Sequence, residues 1–408
     1  MKTFACGSCG GVIFFENDRC VRCGHTLGFL PAQMELATFT PFPDGSWSPA
    51  GGAAQGRKFQ LCSNGRIHSV CNWYLEADDP GELCYCCRLN LIIPDLSVAG
   101  NLEHWHQLEI AKRRLVYSLL NLSLPTSGFA ASRHQWPALR FQFMAQLPGG
   151  PPVPTAHQQG VITVDLAEAD PVERERRRKH LHEPQRTLLG HFRHESGHYY
   201  WGALIAGSDW AGRFRALFGD ETAAYDSALG AYYANGPSPG WEARFISAYA
   251  SSHPWEDWAE TWAHYLHMID LIETGQNYRI HPEVPEPINV RSPTLVPADP
   301  GQSFDEMLDR WFPLVAATNS LNRSMGLPDL YPYVMASTVI EKIRFVHELV
   351  KARSSESRSQ AAPQTEETTT SPSANEGTEL QSATTSPEKP HSAPKSESAQ
   401  RCVDSLMP

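Results

Sequence analysis

Apolar positions recur along this chain with two different periods. From residue 184 to about residue 206, Leu188, Leu189, Phe192 and Tyr199 fall at helical spacing and Pro184 suits a first turn, so the stretch reads as one helix. A second helix is expected to start at residue 253 and reach at least residue 267. Ser252 or His253 can cap it and Pro254 fits its first turn. Residues 97–122 read as a third helix, with Leu108, Ile110, Ala111, Leu115, Val116 and Leu119 apolar and Lys112, Arg113 and Arg114 as its solvated face. Further helices are expected at 303–322 and 335–352, after a Pro-rich connection at 281–301. Residues 139–144 alternate apolar and polar, 160–166 are rich in β-branched residues, and 56–61 form a shorter strand-like run. From Ser354 onward Ser, Thr, Pro, Glu and Gln dominate and aromatics vanish, so the tail cannot bury enough apolar surface to order itself.

Composition narrows the class. The 408 residues carry a formal charge of −11, which argues against general nucleic-acid binding. No apolar run reaches the length of a membrane span, and Met1 to Cys6 offers no apolar signal core. The expectation is a cytoplasmic protein whose ten cysteines are a source of thiolate ligands rather than of disulfides. The basic run from Arg174 to Lys179 reads as a solvated segment.

The cysteine spacing agrees with metal binding. Cys6-x-x-Cys9 and Cys20-x-x-Cys23 each sit on a glycine-bearing turn, the pattern of two knuckles closing one zinc ribbon. So short a ribbon draws most of its folding energy from the metal. Cys84-x-x-Cys87 is a third knuckle, and Cys62 and Cys71 can complete a second site. Cys86 is then free or buried, unless it replaces one of its neighbours. Cys402 stands alone in the tail.

The motif with the most chemistry is His194-Glu195-Ser196-Gly197-His198. Residues four apart on a helix share a face, so both imidazoles can reach one zinc ion. Glu195 then stands beside the water that the metal activates, as a general base. Gly197 weakens a helix interior by about 1 kcal/mol, so its presence points to another element packed closely there. His191, one turn earlier, reads as a support for the site rather than a ligand. In a metzincin, Gly and His follow the second histidine at set positions; Trp201 and Leu204 stand there instead. The third ligand is therefore sought as a glutamate on the later helix. Glu256, Glu260 and His264 recur every four residues there. Three tryptophans within the same two turns argue against a merely solvated face. Asp257 is the weaker competitor.

These features resemble a bacterial family of zinc-binding metallopeptidases with an N-terminal zinc ribbon, gluzincin-like at the H-E-x-x-H motif. The resemblance is carried by Cys6 to Cys23, Cys71-Asn72-Trp73, Cys84 to Leu89, His191 to Trp201, and Ser247 to Glu260, across roughly residues 1–350. It implies that His194, His198 and Glu256 hold zinc, with Glu260 orienting a ligand histidine. Whether Glu256 or Glu260 is the ligand stays open on the residues alone. Lethal-factor-like gluzincins place a tyrosine near the position of Tyr249, which makes Tyr249 a candidate oxyanion donor beside His253, His264 and Tyr200. In zincins a strand preceding the motif helix pairs with extended substrate, a role expected here of residues 160–166.

The fold expected is α+β: small N-terminal zinc-ribbon modules, then a mostly helical zincin-like metallopeptidase domain with a short sheet, then a disordered C-terminal tail. The boundaries expected are 1–30 for the first ribbon, 31–96 for the second cysteine-rich region, 97–352 for the peptidase domain and 353–408 for the tail. The function expected is zinc-dependent hydrolysis of a peptide or protein, with one catalytic zinc and one or two structural ones. No membrane or nucleic-acid partner is expected. The alternative is a non-catalytic module that binds protein or nucleic acid through the ribbons on a zincin scaffold.

Overall fold

Short hairpins and tight turns build the N-terminal third, as its cysteine knuckles require. The computed structural model describes residues 2–361 apart from 128, 132–133, 148, 152, 154, 182–186, 283–302 and 332–333. Pro184, most of the Pro-rich connection, Cys402 and the tail beyond 361 lie outside the described residues. β1 (Phe4–Ala5) pairs antiparallel with β2 (Val12–Ile13) and sets the first knuckle. An antiparallel sheet follows in sequential order: β3 (Thr26–Leu30), β4 (Glu35–Pro41), β5 (Trp47–Pro49), β6 (Phe59–Leu61) and β7 (Tyr74–Glu76). A short helix, α1 (Ser63–His68), connects β6 to β7.

The second sheet has a different logic. β8 (Asn90–Ile92) precedes the long helix α2 (Asn101–Asn121) and the hairpin β9 (Phe129–Ala131) and β10 (His134–Trp136). Then come β11 (Arg140–Met144), β12 (Ala156–Gln158) and β13 (Val161–Asp165). The order across this sheet is β12-β13-β11-β8, with β11 parallel to both β13 and β8. β8 lies before residue 97, so this sheet draws strands from both sides of the expected boundary.

This order corrects one expectation. β13 is hydrogen-bonded on both sides, to β11 and to antiparallel β12, so residues 160–166 have no free edge for a substrate chain. The outer strand on that side is β12, which has too few residues to show an alternating pattern.

Helices complete the chain: α3 (Pro171–Leu181), α4 (Leu188–Leu204), α5 (Ala211–Phe218), α6 (Tyr225–Asn235), α7 (Pro254–Asn277), α8 (Phe304–Ser324) and α9 (Ser337–Ala361). The chemistry of their ends explains their bounds. Thr187 caps α4 by accepting from the Gly190 N–H at 2.9 Å. His253 caps α7 by accepting from Trp255, with Pro254 as the first helical residue. Ser303 and Glu306 form a capping box at the start of α8. No described helix is long and apolar enough to cross a membrane.

One continuous core joins the cysteine-rich region to the helices. Phe15 packs edge-on against Tyr117 of α2 at 5.3 Å and against Trp73 at 6.2 Å. The same buried cluster runs on through Trp105, Trp258 and Trp262 to Phe345 and Leu349. The first ribbon thus borrows its apolar support from α2, as its size demands.

α2 carries a second correction. Lys112 and Arg113 are buried rather than solvated. Lys112 pairs with Glu109 at 2.8 Å and bonds Asn90, while Arg113 donates to the Val70 carbonyl. Their charges act on Cys71, Cys86 and Cys87, so two cations lie under a cluster of sulfurs. Only Arg114, paired with Glu16, reaches the surface.

Candidate active site

The motif helix α4 and helix α7 meet at a contact only glycine allows. A Cβ on Gly197 would stand 2.9 Å from the Ala259 Cα. Trp258 donates its indole N–H to the Gly197 carbonyl at 2.8 Å, and Trp262 donates to the Ser196 hydroxyl at 3.1 Å. Tyr200 stacks on Trp262 with ring centres 4.8 Å apart. The apolar face of α7 thus fixes the height and rotation of the motif on α4.

This packing brings His194, His198 and Glu256 together, with one potential ligand atom from each within 4.8 Å of the others. The two Nε2 atoms stand 3.2 Å apart, and Glu256 Oε2 is 3.0 Å from His194 Nε2. Glu260 lies behind them. Its Oε1 is 2.7 Å from His194 Nδ1, and its Oε2 accepts from the Ser247 hydroxyl at 2.7 Å. Asp257 turns away and pairs with Lys342 at 2.6 Å in the interior.

The electrostatics call for positive charge at this point. Burial alone would lower the His194 imidazole, but Glu256 and Glu260 hold it well above the ordinary histidine range. Burial would likewise raise Glu256, but His198 and His194 bring its carboxyl well below the usual range. Glu256 Oε2 is buried and without a hydrogen-bond partner. Two imidazoles and one carboxylate, whose buried Oε2 is unmatched, are a donor set that fits a zinc ion.

Glu195 sits beside this set, nine-tenths or more buried, with Oε1 3.4 Å from His191 Nε2. His191 in turn lies 3.7 Å from Glu168. Burial would raise the Glu195 carboxyl, but His191, His198 and His194 outweigh it and keep it below the ordinary range. An ionised carboxylate at this position is competent as a base.

The sulfur clusters pass a geometric test. Cys6, Cys9, Cys20 and Cys23 form one group, and Cys62, Cys71, Cys84 and Cys87 another. The Sγ atoms of Cys6 and Cys23 are 3.6 Å apart, those of Cys9 and Cys20 3.7 Å, and those of Cys71 and Cys84 3.7 Å. A disulfide needs about 2.05 Å. A tetrahedron with zinc–sulfur bonds of about 2.3 Å has edges near 3.8 Å. Backbone N–H groups of Trp73 and Cys84 point at Cys71 and Cys62, as in a knuckle. Cys86 is buried outside the group of four.

Comparison with known proteins agrees. The family model described as "Putative zinc-binding metallo-peptidase" matches residues 101–349. A zinc-ribbon domain model matches residues 3–98. The chain belongs to this metallo-peptidase family. "Uncharacterized" proteins of Mycobacterium tuberculosis (strain ATCC 25618 / H37Rv) and Mycobacterium bovis are each 41% identical over 351 residues, 86% of this chain and 95% of the relative. No solved structure matches the chain.

Within this site the candidate donors separate. Tyr249 faces His194, ring centres 6.0 Å apart. Tyr200 is buried and donates to the Pro125 carbonyl, His264 bonds Tyr331, and His253 serves as the α7 cap. Two residues at the site carry no motif. Tyr225, first residue of α6, donates its hydroxyl to Glu256 Oε1 at 2.6 Å. His157 on β12 packs edge-on against Tyr199 at 6.0 Å, near enough to His198 and Glu195 to feel their charges. Burial, with His198, pushes its ring down to about 4, so it stays neutral. Neither has a sequence spacing that ties it to the motif; only the fold brings them there.

Proposed function

We propose that this chain is a zinc-dependent peptidase of gluzincin type. The observation that carries the reading is the placement of Glu195, an ionised carboxylate beside the convergent His194, His198 and Glu256. A purely structural metal site has no use for such a base. In this reading the three residues hold zinc and Glu260 positions His194. A carboxylate on Nδ1 keeps the proton on that nitrogen and the Nε2 lone pair toward the metal. Zinc bound there supplies Lewis acidity, polarising the peptide carbonyl and acidifying water.

The remaining work falls to side chains and one strand. Glu195 accepts a proton from the attacking water and returns it to the leaving amine. Tyr249 donates its phenolic hydrogen toward the oxygen on which charge develops. β12, the edge strand of the sheet that packs against α4, offers its backbone to an extended substrate. The substrate is accordingly a peptide or an extended protein segment, which the ribbons can help recruit.

Glu195→Gln tests the reading. The variant is expected to keep its zinc and lose peptide turnover by several orders of magnitude. Cleavage at the wild-type rate would sink the mechanism, whereas a wild-type chain that binds zinc but cleaves no peptide would favour a non-catalytic interaction module.

A further inference from the structure

Helix α6 buries none of its own residues, yet its first residue is fixed firmly. The Tyr225 ring packs edge-on against His253 at 5.1 Å and lies 5.9 Å from Trp255, both at the N-terminal end of α7. The backbone just before α6 is tied to the same place, because His253 Nε2 lies 3.2 Å from the Ala223 carbonyl. These contacts aim the phenol at Glu256, one helical residue after Trp255. The hydroxyl takes Oε1 at 2.6 Å, while Oε2 faces His194 Nε2 at 3.0 Å and has no hydrogen bond.

We propose that Tyr225 is a positioning residue for the metal: by occupying Oε1 of Glu256 it leaves Oε2 alone for coordination and fixes the rotamer of that carboxylate. The proposal rests on the metal-ligand reading given above. Residues that hydrogen-bond a ligand orient it and restrict its freedom, and their loss weakens metal binding even though they never touch the ion. Glu256 has no other described side chain on Oε1 except His198, 3.6 Å away. Without the phenol the carboxylate can rotate or chelate through both oxygens.

Zinc affinity of the full chain, measured by competition with a chromogenic chelator, tests this without using activity. Tyr225→Phe keeps the ring and its packing and removes only the hydroxyl. It is expected to weaken the histidine-held zinc on the order of tenfold or more, with both sulfur-held ions retained and the circular dichroism unchanged. In a Glu256→Gln background the same change is expected to cost nothing further, because the phenol acts through Glu256. The cobalt-substituted protein gives a second readout: the visible bands of the histidine site are expected to shift in Tyr225→Phe while sulfur-to-metal charge-transfer bands stay fixed. Unchanged affinity and spectrum, or an equal loss in both backgrounds, would overturn the proposal. A wild-type chain that binds no metal at its histidines would overturn both this proposal and the peptidase reading. A wild type that binds zinc and cleaves peptide, with an unaffected Tyr225→Phe, would overturn this one alone.

Discussion

Gly197 of α4 lies against Ala259 of α7 so closely that an added Cβ would stand 2.9 Å from the Ala259 Cα and 3.3 Å from its carbonyl oxygen. The obstructing atoms are backbone, so they cannot yield by a rotamer change. Gly197→Ala would gain about 1 kcal/mol of helix propensity. Overpacking costs about 1–3 kcal/mol, and here it also pushes apart the helices that carry His198 and Glu256. The expected outcome is a net loss of up to about 2 kcal/mol in urea unfolding, with weaker zinc binding. A stabilised variant with full zinc affinity would show that the contact is not what holds the site together.

Lys112 and Glu109 form an ion pair with no solvent exposure on either side chain. Removing one partner from a buried pair leaves the other charge uncompensated and costs about 3–5 kcal/mol. Lys112→Met is therefore expected to destabilise severely. Glu109→Gln with Lys112→Met is expected to recover a large part of that loss. The position of Lys112 under Cys86 and Cys87 adds a second expectation: the single variant releases zinc from the Cys62 cluster more readily. Wild-type stability in Lys112→Met would mean that the cation reaches water.

His264, on α7, is buried and bonds Tyr331. Burial pushes its pKa down to about 4, Glu260 opposing. In the unfolded chain it titrates near 6.5. The unfolded state therefore binds a proton below about pH 6.5 that the folded state refuses until about pH 4. The stability that His264 contributes is complete above pH 6.5, shrinks as pH falls, and is gone near pH 4, a change of roughly 3 kcal/mol at most. His264→Gln is expected to be less stable at pH 7.5 but to lose less between pH 7 and pH 4.5. The two proteins differ only at residue 264, so the difference in slope isolates His264. Parallel pH profiles would remove it as a source of acid lability.

These cases show which kinds of arrangement a sequence makes legible. His194, Glu195 and His198 sit on one helical turn, so their shared face follows from backbone geometry alone. The cysteine knuckles are likewise local. Glu256 and Glu260 needed the further step of packing α7 against α4, and Gly197 with the tryptophans signalled that step. Tyr225 and His157 had no such signal, because their nearness to the ligands depends on where α6 and the three residues of β12 come to rest. Lys112 and Arg113 depart from the usual pattern for a physical reason. Consecutive basic residues normally mark a solvated face, and the compensating partners are scattered over Asn90, Val70, Glu109 and the cysteines.

Three candidate metal sites with different surroundings are expected to release their ions in a definite order. The cluster of Cys62, Cys71, Cys84 and Cys87 is wholly buried. In the first ribbon Cys9 and Cys23 are partly exposed. The histidine site has only three side-chain ligand atoms, and His198 is partly exposed. Four thiolates hold zinc in a closed shell, whereas three protein ligands leave a position through which a chelator can attack. The chain is therefore expected to bind three zinc ions. A mild chelator should remove the first from His194, His198 and Glu256 and abolish peptidase activity without unfolding. Longer exposure should empty the Cys6 ribbon next, with loss of the structure around Phe4, Ile13 and Phe15, since metal supplies much of that ribbon's stability. The ion under Lys112 and Arg113 should leave last. Metal analysis at each stage, alongside activity and thiol titration, follows the sequence directly. If thiols became reactive before activity fell, the labile ion would be a structural one, and the open site would not be at the histidines.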